Sequence, residues 1–444
     1  MKTIQSSSVN DATEQTTRVH AEMRKRWLII LPAVFVTYSL AYVDRANYGF
    51  GAAAGLAQTL KISNSRSALL GALFFFGYFL FQVPGAAYAR RSSTRSLIFF
   101  ALVVWGVLAS LTGVIRNFWL LALDRTLLGV AESFIFPAML ILLTNWFTRA
   151  ERSRTNTLLL LGNPVTVLWM SAATGYLIRS FGWQVAFVLE GLPSVLWAFG
   201  WLYLVRDRPE EARWMSPEAS VQLNQQLERE QWLLPQVADF KSALRNPNVL
   251  LLCLQYFCWS VGVYGFVLWL PTIIQGGASH GIEIVGLLSG IPYLFAIILM
   301  LIVAHYSDRS FRRRRFVWPF LILSGVALFG SYVTVSTSFW SAYGFLILAG
   351  ACMYAPYGPF FAIMPEMLPK NVSGEVTALV NSCGALGSFI GAWFVGLLQA
   401  RTGNARASFL LMAISLMAAG VIILCLRGPS NDTLATLPED AEAI

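Results

Sequence analysis

The sequence predicts an all-α membrane protein whose twelve transmembrane helices form two pseudo-symmetric six-helix bundles. Three observations carry this expectation. Hydrophobic residues fill 56% of the 444 positions and charged ones only 12%, about half the charged share of a soluble domain. Apolar runs of roughly the 20 residues that cross a hydrocarbon core recur twelve times along the chain. The segment GAAYARRSSTR at 85–95 is echoed by AHYSDRSFRRR at 304–314, and Pro137 and Pro356 stand at the same offset.

The elements follow in order. Positions 1–26 are polar, with no short apolar stretch ending in a small-residue cleavage site, so the first apolar run reads as an uncleaved span. The first bundle, 27–205, holds spans near 27–50, 67–88, 96–115, 118–143, 156–178 and 183–205. A polar segment at 206–246, with some helical character, reads as a linker. The second bundle, 247–427, holds spans near 247–269, 283–305, 316–335, 339–362, 374–399 and 405–427, and 428–444 is a tail. Two parallel repeats of this kind predict a carrier with its site between the halves near mid-membrane, worked by rocking of one bundle against the other.

The formal net charge of +9 would suit a nucleic-acid binder, but the basic residues lie between apolar runs and act as topology signals. With both termini inside, lysine and arginine favour the inner segments by roughly four to one. Cys253, Cys258, Cys352, Cys383 and Cys425 all fall in apolar segments without a C-x-x-C pair, which points to packing. His20, His280 and His305 are scattered, so no metal or cofactor site is expected. No glycine-lysine pair of a phosphate-binding loop occurs, which excludes direct drive by ATP.

Charges inside apolar runs carry the chemistry, since each costs roughly 2.5–3.5 kcal/mol at a bilayer centre on insertion scales. AYVDRANYGFG at 41–51 places Asp44 and Arg45 side by side. LDRTLLGVAESFIFP at 123–137 places Arg125 and Glu132 seven apart, two helical turns, on one face. Adjacent residues diverge by about 100°, so Asp44 and Arg45 cannot aim at one point. The expected arrangement is cross-helical, with Asp44 and Glu132 near Arg45 or Arg125. A purely structural ion-pair network is the competing reading. Arginine offers a fixed fork for a carboxylate, and carboxyls that change protonation would couple a proton to an anion. Asp124 and Glu190 also lie within or near spans; Glu190 reads as a helix contact, and Asp124 as either a local partner of Arg125 or a transport residue.

The carboxyl half contrasts. Between Val249 and Tyr306 its only acid is Glu283, and 316–365 carries no charge. It offers Tyr264, Trp269, Tyr354, Tyr357, Asn381 and Ser382 as neutral hydrogen-bonding or ring contacts, each with helix packing as its plain alternative. SDRSFRRRR at 307–315 reads as a topology anchor and gate contact through Asp308 and Arg309. The matching position of the first repeat is Ala89.

YVDRAN, RTLLGVAES, NWFTRAERSR and the repeated inner-loop motif together resemble the major facilitator superfamily, and within it the anion:cation symporter family of organic-anion permeases. The resemblance spans all twelve helices. It implies that Asp44 and Glu132 couple protons, while Tyr42, Arg45, Tyr78 and Arg125 surround a sugar-acid carboxylate and its hydroxyls. Asn381 joins them on a looser match. YFCWSVGVYGFVLWLP and GACMYAPYGPFFAIMPEMLP are similar to bacterial permeases of 2-ketogluconate, which implies an inner-membrane proton symporter acting as a monomer. Ala89 and Asp124 depart from the family pattern. Export of another organic anion or drug on the same fold, a membrane enzyme, and a sensor without transport are the alternatives. Two arginines argue against a cation exporter, and the lack of a nucleophile or metal cluster argues against an enzyme.

Overall fold

The structure, a computed structural model, describes residues 2–89, 91–232, 246–277, 281–310, 312–367, 373–402 and 406–426. Nearly all of them are helical, and no strand occurs among the described residues. The amino half comprises α1 (Lys2–Ala53), the single turn α2 (Leu56–Thr59), α3 (Asn64–Ala89), α4 (Thr94–Thr112), α5 (Phe118–Ser133), α6 (Ile135–Trp146) and α7 (Arg149–Leu204). The linker contains α8 (Pro217–Trp232). The carboxyl half comprises α9 (Pro247–Gly277), α10 (Ile282–Ser310), α11 (Trp318–Thr334), α12 (Phe339–Tyr354), α13 (Tyr357–Met367), α14 (Ser373–Thr402) and α15 (Arg406–Leu424).

Eleven of the described helical stretches are long and apolar enough to cross a membrane. One of them, Arg154–Leu204, has 51 residues, roughly 75 Å if straight and far beyond a bilayer core. It is not straight. Gly182 breaks it at φ 81°, ψ 162°, a conformation closed to residues with a Cβ. The Thr174 hydroxyl donates to the Glu190 carboxylate sixteen residues on, a separation of about 24 Å on an unbroken helix. The chain therefore folds back at Gly182, and this stretch supplies the fifth and sixth of twelve crossings. On its return Trp201 donates to Arg95 O at 3.0 Å, next to the start of α4.

Local chemistry sets the ends. Ser93 caps α4 by accepting from Ser96 N, and Asn117 caps α5 by accepting from Trp119 N and Leu120 N. Thr148 and Glu151 form a capping box at the start of α7. The fourth crossing is broken at Phe134, three residues before Pro137, and the tenth is interrupted around Ala355 and Pro356. These repeat-related prolines thus accompany equivalent breaks, which ties the two halves together as structural relatives.

The halves meet closely at the end opposite the amino terminus. A Cβ on Gly49 of α1 would lie 2.6 Å from Leu268 O of α9, and one on Gly286 of α10 would collide with Ser171 O of α7. Small residues let these backbones touch, which is how helices associate where lipid removes the hydrophobic incentive. Arg179 and Glu283 pair across the same seam at 3.0 Å, on the exposed rim. At the opposite end Arg26 ties α1 to the end of the fourth crossing through Trp146 O and to the start of α7 through Glu151, and the Ser216 amide before α8 donates to Glu22.

Candidate functional site

Between the bundles lies a cavity whose empty space, counted together with the solvent it opens to, is about 580 Å³. Its amino-half wall comes from α1, α3 and the fifth crossing through Tyr42, Arg45, Phe74, Phe75, Tyr78 and Asn163. The carboxyl half contributes Tyr256, Ser260 and Tyr264 of α9, Tyr354 and Tyr357 around the tenth-crossing break, and Asn381, Ala385 and Ser388 of α14. Tyr38, Phe136, Met300 and Phe361 also line it. Helical spacing explains most of this: Tyr38, Tyr42 and Arg45 share one face of α1, as Tyr256, Ser260 and Tyr264 do on α9. The Tyr42 and Tyr264 hydroxyls approach to 3.5 Å across the cavity, joining the halves.

Arg45 is the cation on this wall. Its Nε donates to Glu132 Oε2 at 2.9 Å, and both side chains are buried. Its guanidinium lies over the rings of Tyr42 and Tyr78 at 4.8 and 4.9 Å, which stabilises the charge by the ring quadrupoles. Nη2 is buried with no hydrogen-bond partner, and Glu132 Oε1 is in the same condition. One edge of the fork is therefore committed and another is free.

Arg125 lies a layer deeper, its guanidinium 5.0 Å from the Tyr48 ring and 5.6 Å from Phe74, whose ring also lies 5.7 Å from Arg45. It does not line the cavity, and among the described residues no carboxylate lies within 4 Å of it. Although the spacing puts Arg125 and Glu132 on one helix face, neither is among the cavity-lining residues; Phe74, which does line it, packs beside Arg125. Its Nε is buried without a partner.

Asp44 also departs from expectation. It pairs with neither arginine; Trp105 of α4 donates to its Oδ2 at 2.8 Å. The helical turn from residue 44 to 45 is the cause: with Arg45 facing the cavity, Asp44 points into the bundle. Its Oδ1 has no partner. Asp124 accepts from Thr112 at 2.8 Å, so its nearest partner is a hydroxyl. Glu190 is the inter-helix contact that the sequence suggests, accepting from Thr174 and, at 3.1 Å, from Asn47 of α1.

Of the neutral candidates, Tyr264, Tyr354, Tyr357 and Asn381 reach the cavity. Trp269 does not; it donates to Ala392 O at 3.2 Å near the closed end, where its ring also packs close to Gly396. Ser382 instead donates to Phe79 O at 3.0 Å across the halves. Arg309 is exposed in the last turn of α10, and the Asp308 side chain lies outside the described residues. Sequence reasoning missed Tyr38, Tyr256 and Ser260, although their spacing from Tyr42 and Tyr264 was a usable signal.

A cavity between two repeated six-helix bundles, with a buried arginine on one wall, defines a membrane carrier of small molecules. The sequence pattern of the Major Facilitator Superfamily matches residues 34–392, with a second match over 282–442. The chain belongs to that superfamily, and so to a family of transporters rather than enzymes. A quinolone resistance transporter of Acinetobacter baumannii is 32% identical over 87% of this chain and 91% of its own length. A proposed tartrate transporter of Agrobacterium vitis is 28% identical over 93% of each. A hexuronate transporter of Bacillus subtilis is 21% identical over 86% of this chain and 90% of its own. Among solved structures, a bacterial homolog of the human lysosomal transporter Spinster, inward-facing and unoccupied, superposes with TM-score 0.67. At 16% identity, over 89% of this chain and 94% of that one, it shares the fold.

Proposed function

We propose that this transporter imports a monocarboxylic sugar acid together with a proton, with 2-keto-D-gluconate as the leading candidate. The observation that carries the reading is the half-committed fork of Arg45 on the cavity wall, one edge on Glu132 and another unpartnered. Guanidinium recognises carboxylate in two-point geometry. Tyrosine hydroxyls with Asn381 and Ser388 on the facing half suit the hydroxyls of a sugar acid. A relative named for hexuronate transport supports a monocarboxylic sugar acid, and one named for tartrate supports hydroxy acids more broadly.

Coupling then follows from competition. A substrate carboxylate arriving at Arg45 meets the Glu132 carboxylate already there, and one guanidinium cannot neutralise both in a dry site. A proton on Glu132 releases the arginine to the substrate, so anion and proton enter as a neutral pair. Asp44 serves as a second proton-exchanging carboxyl, and Arg125 holds positive potential behind Phe74. The bundles 27–205 and 247–427 rock about this site, joined by 206–246, with Asp308 and Arg309 at the inner gate. The protein works as a monomer in the bacterial inner membrane with both termini cytoplasmic, and belongs with the anion:cation symporters.

A second reading, export of a carboxylate-bearing aromatic drug, is favoured by the quinolone-resistance relative and by the ring-rich cavity walls. One experiment separates them. Purified protein in liposomes is offered gluconate, 2-keto-D-gluconate, hexuronates, tartrate and a quinolone, with and without an imposed pH gradient. Concentrative, gradient-dependent uptake of a sugar acid is the expected result. Quinolone movement against its gradient, with no sugar-acid uptake, would establish the exporter instead.

A further inference from the structure

Three residues beyond Asp44 on α1 stands Asn47, 1% exposed, with its Nδ2 donating to Glu190 Oε2 at 3.1 Å and its Oδ1 without any partner. Asp44, also 1% exposed, is in the complementary condition: Oδ2 receives the Trp105 indole N–H at 2.8 Å and Oδ1 receives nothing. Residues three apart on a helix are neighbours, with Cβ atoms about 5–6 Å apart, within reach of two short polar side chains. Two buried acceptors, each without a donor, stand on one helix face, and one proton between them would satisfy both.

We propose that the proton carried by Asp44 sits on Oδ1 and is donated to Asn47 Oδ1, and that Glu190 and Thr174 are positioning residues that hold the Asn47 amide for this bond. The proposal rests on the proton-coupled reading above and adds where the proton is held. Glu190 can set the amide because it is an acceptor on both sides: Thr174 donates to Oε1 and Asn47 to Oε2. With Nδ2 turned to Glu190, the amide oxygen is the Asn47 atom left without a partner, and it can accept. Charged groups that act on Asp44 include Glu132, Glu190 and Arg125, with Arg45 the next residue on α1, and Trp105 is its donor from α4. The chain Asp44–Asn47–Glu190–Thr174 joins α1 to both arms of α7, so loss or gain of one proton is felt by the first, fifth and sixth crossings together.

The test is infrared difference spectroscopy of the purified full-length protein between low and high pH, run beside gradient-driven uptake of sugar acid in liposomes. Asp44→Asn identifies the Asp44 carboxylic C=O band by removing it. Asn47→Leu should move that band to higher frequency, as a carboxylic acid does on losing its acceptor, and shift half-maximal protonation about one pH unit toward acid. Glu190→Gln, which keeps an oxygen for the Asn47 amide, should leave the band in place; Glu190→Ala should reproduce the Asn47→Leu shift. If Asn47→Leu does not fold, Asn47→Ser, too short to reach Asp44, reads the same shift. An Asp44 band indifferent to residue 47 overturns the proposal even where uptake is proton-driven. A band that responds to residue 47 in a protein with no gradient-driven uptake upholds the proton site and overturns the coupled-import reading instead.

Discussion

Arg45→Lys tests the site most directly, because it keeps the charge and removes only the fork. In the structure the guanidinium already spends Nε on Glu132 at 2.9 Å while another edge is free. Lysine offers a single ammonium on a flexible stem. It can hold Glu132 or a substrate carboxylate in good geometry, not both. The loss is one hydrogen bond to a charged group, about 1.5–3 kcal/mol, or a roughly 10- to 150-fold rise in substrate Kd. The Tyr42 and Tyr78 rings that flank the guanidinium can still accept an ammonium, so folding should survive. Binding of 2-keto-D-gluconate to detergent-purified protein by calorimetry, with thermal unfolding as the control, measures this. A Kd within threefold of the parent protein, at unchanged stability, would refute the claim that the Arg45 fork grips the substrate.

Four further outcomes are expected. Glu132→Gln should spare substrate exchange between liposome compartments while cutting gradient-driven accumulation at least tenfold; undiminished accumulation removes Glu132 from coupling. Asp44→Asn should flatten the pH profile of uptake, because a group that must bind and release a proton can then do neither, and a superimposable profile would exclude its titration. Arg125→Ala should weaken binding less than Arg45→Ala does, since Arg45 lines the cavity and Arg125 does not; competition binding ranks the two. Gly286→Leu places a side chain against Ser171 O, and should increase the labelling rate of a cysteine introduced in the α1–α9 seam by a membrane-impermeant thiol reagent.

Why some of this was legible in the sequence, and some not, has a physical basis. Crossings show themselves because a helix that spans a bilayer must be long and apolar, so the run 118–143 and the helical pair Phe118–Ser133 and Ile135–Trp146 differ by a few residues. The break at Phe134 was not visible, since Pro137 alone does not say where the hydrogen-bond ladder opens. Arg45 was legible from its cost inside a span. Its cross-helical partner Glu132 was among the expected pairings; that Asp44 would meet neither arginine was not legible, because that depends on how α1 is rotated against its neighbours. Trp105, a plain aromatic in an apolar run, gave no hint that its N–H would meet Asp44. Asn47 in YVDRAN carries a signal of its own, an amide within one turn of an acid inside an apolar run.

The uneven spread of polarity between the halves has a practical consequence. Ionisable groups near the cavity sit in the amino-terminal bundle, whereas the carboxyl-terminal wall is built of phenols, amides and small residues. On the proposed reading the carboxylate grip of Arg45 and the proton sites share the amino-terminal bundle, and the carboxyl-terminal wall meets the rest of the cargo. Remodelling Tyr256, Ser260, Tyr264 or Ser388 should retune which cargo is taken while leaving the energy source alone, so new specificities can arise by drift in one bundle without rebuilding the other.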